Sequence, residues 1–207
     1  WIVDIYTGTM GYYQYASLSA CNIFGLMGVL WEPNTGTWWG VTYKVWGNIG
    51  LALACLLFIA AALRDRRKEH IFFYAAMLVT GIFGLGGMMH ERYMYPALLL
   101  LAVSALLVPS RNHLRLFVLF SLTQFANIAL TLANKYMTGG DAVITLISLL
   151  MIGGYAAMLA TAFGYAFPLR ARRIIKKIKG SLSISEKDGQ ARRHGAMRES
   201  FPTAAQR

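Results

Sequence analysis

The sequence predicts an all-α fold: a polytopic membrane helix bundle with about five spanning segments plus an extracytoplasmic or re-entrant helix. Three observations carry this. Charged residues make up 14% of the 207 positions and hydrophobic residues 57%, whereas an average soluble domain is roughly 25% charged. The apolar residues gather in runs close to the ~20 residues that a bilayer core of ~30 Å asks of a helix. The basic residues gather at alternate junctions between those runs. Two cysteines are too few for a disulfide-rich scaffold or a four-cysteine zinc site.

Residues 1–43 contain no full span and read as an extracytoplasmic or interfacial segment. The run Ala20 to Leu30 is apolar but short, with Asn22 inside it, which fits an interfacial helix, a re-entrant one or one packed on protein. Trp1, Tyr12, Tyr13, Tyr15, Trp31, Trp38, Trp39 and Tyr43 surround it. They form either an aromatic belt at the membrane surface or the lining of a sugar or lipid groove. Residues 44–168 hold the transmembrane bundle, with spans at about 45–63, 71–89, 93–108, 114–132 and 142–167. The third is shorter than a comfortable crossing. Residues 169–207 read as a basic juxtamembrane stretch and a disordered cytoplasmic tail.

The charges check the spans independently. RDRRKEH (64–70), PSRNHLR (109–115) and RARRIIKKIK (170–179) alternate with junctions that hold only Lys44, Arg92 and Lys135. Counting the tail, 17 of the 20 Lys and Arg residues fall on one side. The positive-inside rule makes that side cytoplasmic. The net charge of +11 therefore speaks for a membrane partner and against nucleic acid.

The richest chemistry lies in GLGGMMHERYMYPALLLL (84–101). His90, Glu91 and Arg92 are consecutive ionisable groups between two apolar runs, where charge is costly unless it faces a cavity and finds a partner. Pro96 suits the first turn of the next helix and disfavours helix at Tyr95, so the chain should break near His90 to Tyr95. Arg92 offers a fork for phosphate or carboxylate. His90 can donate to phosphate or move a proton. Glu91 can accept from hydroxyls or hold Arg92, and Tyr93 and Tyr95 offer ring faces and hydroxyls. These are parts for binding an anionic, hydroxyl-rich headgroup at a membrane surface; the bland alternative is an interfacial loop with a Glu91–Arg92 ion pair.

Two further patterns stand out. Ser121, Gln124, Asn127, Thr131 and Asn134 share one helical face, for helix packing or cavity lining. Gly153, Ala157 and Thr161 recur every four residues, a small-residue packing face. The glycines before HERY permit close helix approach or a bend. No phosphate-cradling glycine loop or HExxH is present, and the scattered histidines make no metal site. No cofactor is implied, and no acidic cluster supports a divalent cation.

MMHERYMYPALLLL resembles the MHERYLYPALxLLL segment of bacterial polytopic glycosyltransferases of the GT-C superfamily, nearest to protein O-mannosyltransferase-like enzymes. YQYASLSACNIFGLMG (13–28) is similar to a second family pattern, in which Asn22 matches the second of two asparagines. Ser19 stands where the first would be, and Cys21 replaces an aromatic. The resemblance covers about Tyr13 to Leu132. It implies transfer of a sugar from a polyprenyl-phosphate donor to an extracytoplasmic acceptor, in the bacterial plasma membrane. His90, Glu91, Arg92, Tyr93, Tyr95 and Asn22 would then contact the donor. The family's catalytic carboxylate belongs to an earlier loop, upstream of Trp1. The chain thus reads as the C-terminal part of such an enzyme, inactive without its upstream half or a partner membrane chain. The competing readings are a non-enzymatic protein that binds or flips a lipid-linked sugar, and a structural membrane subunit.

Overall fold

A computed structural model describes residues 14–65, 67–133 and 141–164. The helical prediction holds. Short helix α1 (Ile23–Leu26) precedes a two-stranded antiparallel ribbon, β1 (Thr37–Trp38) and β2 (Val41–Thr42). The helices α2 (Tyr43–Arg64), α3 (Ile71–Leu85), α4 (Tyr95–Leu107), α5 (Arg111–Ala133) and α6 (Ala142–Gly164) follow. Three of them, α2, α5 and α6, are long and apolar enough to cross a membrane, at 22, 23 and 23 residues. They carry outward-facing leucines that water would not tolerate in such number: Leu56 is 64% exposed, Leu63 67% and Leu132 81%.

The second and third expected spans come out shorter. Helix α3 stops after 15 residues at extended Gly86, four residues before the predicted end at Met89. Helix α4 has 13 residues. At 1.5 Å per residue they measure about 22 and 20 Å. Each is extended by a 3-10 turn, Lys68–His70 before α3 and Glu91–Met94 before α4. Helix α3 packs between α2 and α4, and α4 packs on α5.

Glycine sets how closely α3 approaches α2. A Cβ on Gly47 would lie 2.7 Å from the Gly87 nitrogen, and one on Gly50 would strike the Leu85 carbonyl. The expected packing face of α6 is displaced by one residue. Gly153 meets nothing, and Gly153 and Ala157 face outward. The buried side is instead Met151, Tyr155, Met158 and Ala162. On that side a Cβ at Gly154 would come within 2.9 Å of the Phe120 ring.

Gln14 and Tyr15 are exposed, and the chain from there to Asn22 is not helical. Residues 16–22 are buried and run beside the end of α3. Leu18 N–H donates to the Met89 carbonyl (3.1 Å), and Met88 N–H donates to the Ala16 carbonyl (2.8 Å). Cys21 and Leu30 join Ile144 and Ile147 of α6 in one apolar cluster. Residues of the 20–30 run thus pack on protein. The basic stretch and tail after 169 lie outside the described residues.

The junctions at the other end of the bundle are also knitted. Asp65, 3% exposed, receives Arg67 Nε and Nη2 (2.9 Å each), Tyr74 hydroxyl (2.9 Å) and His70 Nδ1 (2.7 Å). The His70 ring stands 6.2 Å from that of His113, which stacks on Phe73 at 4.3 Å. His113 Nδ1 lies 3.0 Å from Ser104 Oγ. The 64–70 and 109–115 junctions therefore meet at one end of the bundle. The Arg64 guanidinium over the Phe163 ring, at 5.6 Å, brings the end of α6 there too.

Candidate functional site

The HERY turn is placed by what flanks it. Gly86 ends α3, its N–H donating to the Ile82 carbonyl (2.8 Å). Met88 is forced into the left-handed region, φ 58, which is costly for a side chain with a Cβ. Its N–H is held by Ala16, and the Met89 carbonyl also accepts from Ser17 Oγ (3.3 Å). His90 is extended, and its carbonyl accepts from Tyr93 N–H (3.1 Å), which starts the turn. Met94, fully buried, plugs the turn into the bundle. The break thus falls at Gly86 to His90, earlier than the predicted His90 to Tyr95. Tyr95 is helical despite preceding Pro96, because the 3-10 turn runs straight into α4.

The predicted residues separate into three groups. His90 and Glu91 are mostly buried, with side chains 12% and 18% exposed, and His90 Nδ1 lies 3.9 Å from Glu91 Oε2. Burial pushes the His90 pKa below its ordinary value; the nearby Arg92 cation pushes the same way and Glu91 opposes it. The ring is therefore neutral at pH 7. Arg92, Tyr93 and Tyr95 are exposed. The Arg92 guanidinium lies over the Tyr93 ring at 5.7 Å, and that ring meets the edge of His90 at 5.5 Å. Among the described residues no carboxylate pairs with Arg92, so the Glu91–Arg92 ion pair of the bland alternative is not formed.

Asn22 stands apart from that group. It is fully buried. Its Nδ2 donates to the Phe83 and Gly86 carbonyls (3.2 Å each), and its Oδ1 accepts from Phe24 N–H (3.0 Å) and Gly25 N–H (3.3 Å). Two donors and two lone pairs are an amide's full capacity. Asn22 ties the start of α1 to the end of α3 and holds up the HERY turn from behind; it has no valence left for a substrate.

Sequence reasoning missed the link from α5. Gln124 Nε2 donates to the Glu91 carbonyl, so the polar face of α5 reaches the turn. The rest of that face divides. Thr131 bonds back to its own helix at the Asn127 carbonyl (2.9 Å), and Asn134 lies outside the described residues. Ser17 and Leu18, which brace Met89, lie within the YQYASLSACNIFGLMG segment but were not singled out there. Among the described residues no group of three side chains is arranged to hold a metal ion.

A shallow niche of about 50 Å³ opens beside the turn, between the start of α2 and Gly86 to Met89, with Lys44, Asn34 and Asn48 on its wall. A larger apolar hollow of about 300 Å³ lies across α2, lined by Phe24, Met27, Trp38, Trp46 and Leu85. A cationic, aromatic turn beside a niche edged by Lys44, Asn34 and Asn48 can take up an anionic headgroup. Compared with protein-family models, curated proteins and solved structures, the chain finds no match in any of the three.

Proposed function

We propose that this chain is the membrane part of a glycosyltransferase that uses a polyprenyl-phosphate sugar, with the donor headgroup held at the HERY turn. The observation that carries the reading is Arg92: an exposed guanidinium, steadied over Tyr93, at a break between two apolar helices, with no carboxylate to satisfy it among the described residues. An unpaired cation in that setting is set to receive an anion. The departure of a lipid phosphate from a sugar needs positive charge at the membrane surface. Neutral His90 is able to donate a hydrogen bond or pass a proton. The MHERY and YASLSACN resemblance supplies the sugar and the polyprenyl chain; the cation supplies only the anion site.

In this reading the short helices α3 and α4 count as crossings, giving five in the plasma membrane of a bacterium. The meeting of the 64–70 and 109–115 junctions at one end supports that alternation, with the basic end cytoplasmic and HERY outside. The catalytic carboxylate comes from another segment or chain.

Binding of a polyprenyl-phosphate mannose to the purified, detergent-solubilised protein tests the reading, wild type beside Arg92→Ala. The variant is expected to lose about ten- to hundredfold in affinity, or roughly 1.5–3 kcal/mol for one charge-assisted contact. Equal affinity in the two proteins removes Arg92 as the phosphate site, and an assay for sugar transfer from the same donor separates an enzyme from a binding protein.

A further inference from the structure

The buried polar face of α5 has more hydrogen-bonding capacity than the protein uses. Gln124 commits its NH₂ to the Glu91 carbonyl beneath the HERY turn. Because that acceptor is a carbonyl, the orientation of the amide is fixed and Oε1 is the atom left over. Gln124 is 1% exposed, and its Oε1 has no hydrogen-bond partner among the described residues. Asn127 stands about 4.5 Å further along the same face. It is 0% exposed, and neither its Oδ1 nor its Nδ2 has a partner there.

Buried amides without partners are disfavoured in apolar surroundings, and polar groups at membrane depth commonly mark a ligand path. The chemistry of the missing partner can be read from the count. Two acceptor oxygens and one NH₂ are open. A phosphate offers no donor, so its oxygens would be set against two carbonyl oxygens. A hydroxyl both donates and accepts, and two or three hydroxyls satisfy all three groups.

We infer that Gln124 and Asn127 are the hydroxyl-binding pair for the sugar of the donor, with the HERY turn as their cover. This rests on the donor reading above and extends it. Arg92 takes the phosphate at the outer side of the turn, and the two amides take the sugar hydroxyls on its inner side. The open atoms are closed to water; at Gln124 the turn lies against the amide, so the sugar enters from that side when the turn lifts from α5. The Gln124–Glu91 bond is the direct polar tie that then gives way, and the sugar hydroxyls replace it.

The test measures binding of a polyprenyl-phosphate mannose and of the same polyprenyl phosphate without sugar, wild type beside Asn127→Leu, with a melting curve for each protein. The variant is expected to melt at or above the wild type. Its affinity for the sugar lipid falls about ten- to hundredfold, while its affinity for the bare lipid phosphate is unchanged. Unchanged affinity for the sugar lipid overturns the inference, as does an equal loss for both lipids. A lower melting point with unchanged affinity also overturns it and assigns the amide to a buried water. Asn127→Ala, which adds no bulk, decides the affinities if leucine is not accommodated. Wild-type protein that binds neither lipid sinks the donor reading itself, whereas wild type that binds both lipids equally spares the Arg92 site and overturns the amide pair.

Discussion

Arg67 grips Asp65 with two parallel hydrogen bonds, Nε to Oδ1 and Nη2 to Oδ2, both 2.9 Å. The carboxylate is buried while the guanidinium is partly open, its side chain 38% exposed. Burial alone would raise the Asp65 pKa. The hydrogen bonds from Arg67, His70 and Tyr74 outweigh it and hold the carboxyl well below the usual carboxylate range.

This carboxylate holds the junction of α2 and α3 together. Removing one partner of a buried charged cluster leaves the others uncompensated, at a cost of about 3–5 kcal/mol. Asp65→Ala should lower the melting temperature strongly. The pH dependence has a definite sign. A depressed carboxyl contributes stability that is complete above its unfolded value, near about 4, and that is lost as pH falls below it. Melting curves of wild type should therefore drop at acid pH, and the Asp65→Asn protein should start lower and drop less.

Asn22 gives a second stability prediction. Its substitution by alanine removes two donors from the Phe83 and Gly86 carbonyls and uncaps α1. At about 1 kcal/mol per bond, the loss is roughly 2–4 kcal/mol. Asn22→Asp is expected to be worse than Asn22→Ala, because it sets a carboxylate against two carbonyl oxygens. Thermal melts of both variants decide it; an aspartate milder than alanine would mean that capping alone matters.

His90 predicts a pH effect near neutrality. A histidine whose pKa is depressed on folding is neutral in the native state, so the unfolded chain binds more protons below about pH 6.5. Its contribution is complete above that value and is lost as pH falls through it towards the lower folded value. Wild-type stability should decline from about pH 6.5 downwards, and His90→Gln should flatten that part of the profile.

Two glycines should respond in opposite ways. Gly50→Ala pushes a methyl into the Leu85 backbone and should cost about 1–3 kcal/mol of overpacking. Gly153→Ala meets empty space and should stabilise α6 by up to about 1 kcal/mol through helix propensity. Melting temperatures moving apart in this way would confirm that Gly50 is packed against the end of α3 and that Gly153 faces away from the core.

Much of the bundle was legible because its signals are local. The apolar runs gave α2, α5 and α6 to within a few residues, and Pro96 marked the first turn of α4. The early stop of α3 was not legible. Gly86 alone does not end a helix; the tether between Met88 and Ala16 does, and it joins residues far apart in the chain. Asp65 was hidden inside a basic cluster, where its charge looked like a minor offset to four cations. The one-residue shift on α6 shows that small-residue spacing locates a stripe but not which way it faces. HERY was read as a cluster of ionisable groups, yet its support from Asn22 and Gln124 depends on contacts that no spacing reveals.

The brace behind that turn also has a consequence in time. Ser17 reaches Met89 across 72 residues, and Asn22 reaches Phe83 across 61. A ribosome adding about 5–20 residues per second needs roughly 4–14 s to cover the longer gap. For that interval residues 16–22, which end up buried, have only local partners such as Trp31 and Glu32 and lack the end of α3. They must wait, sheltered by lipid or by the insertion machinery, until the glycine-rich end of α3 arrives.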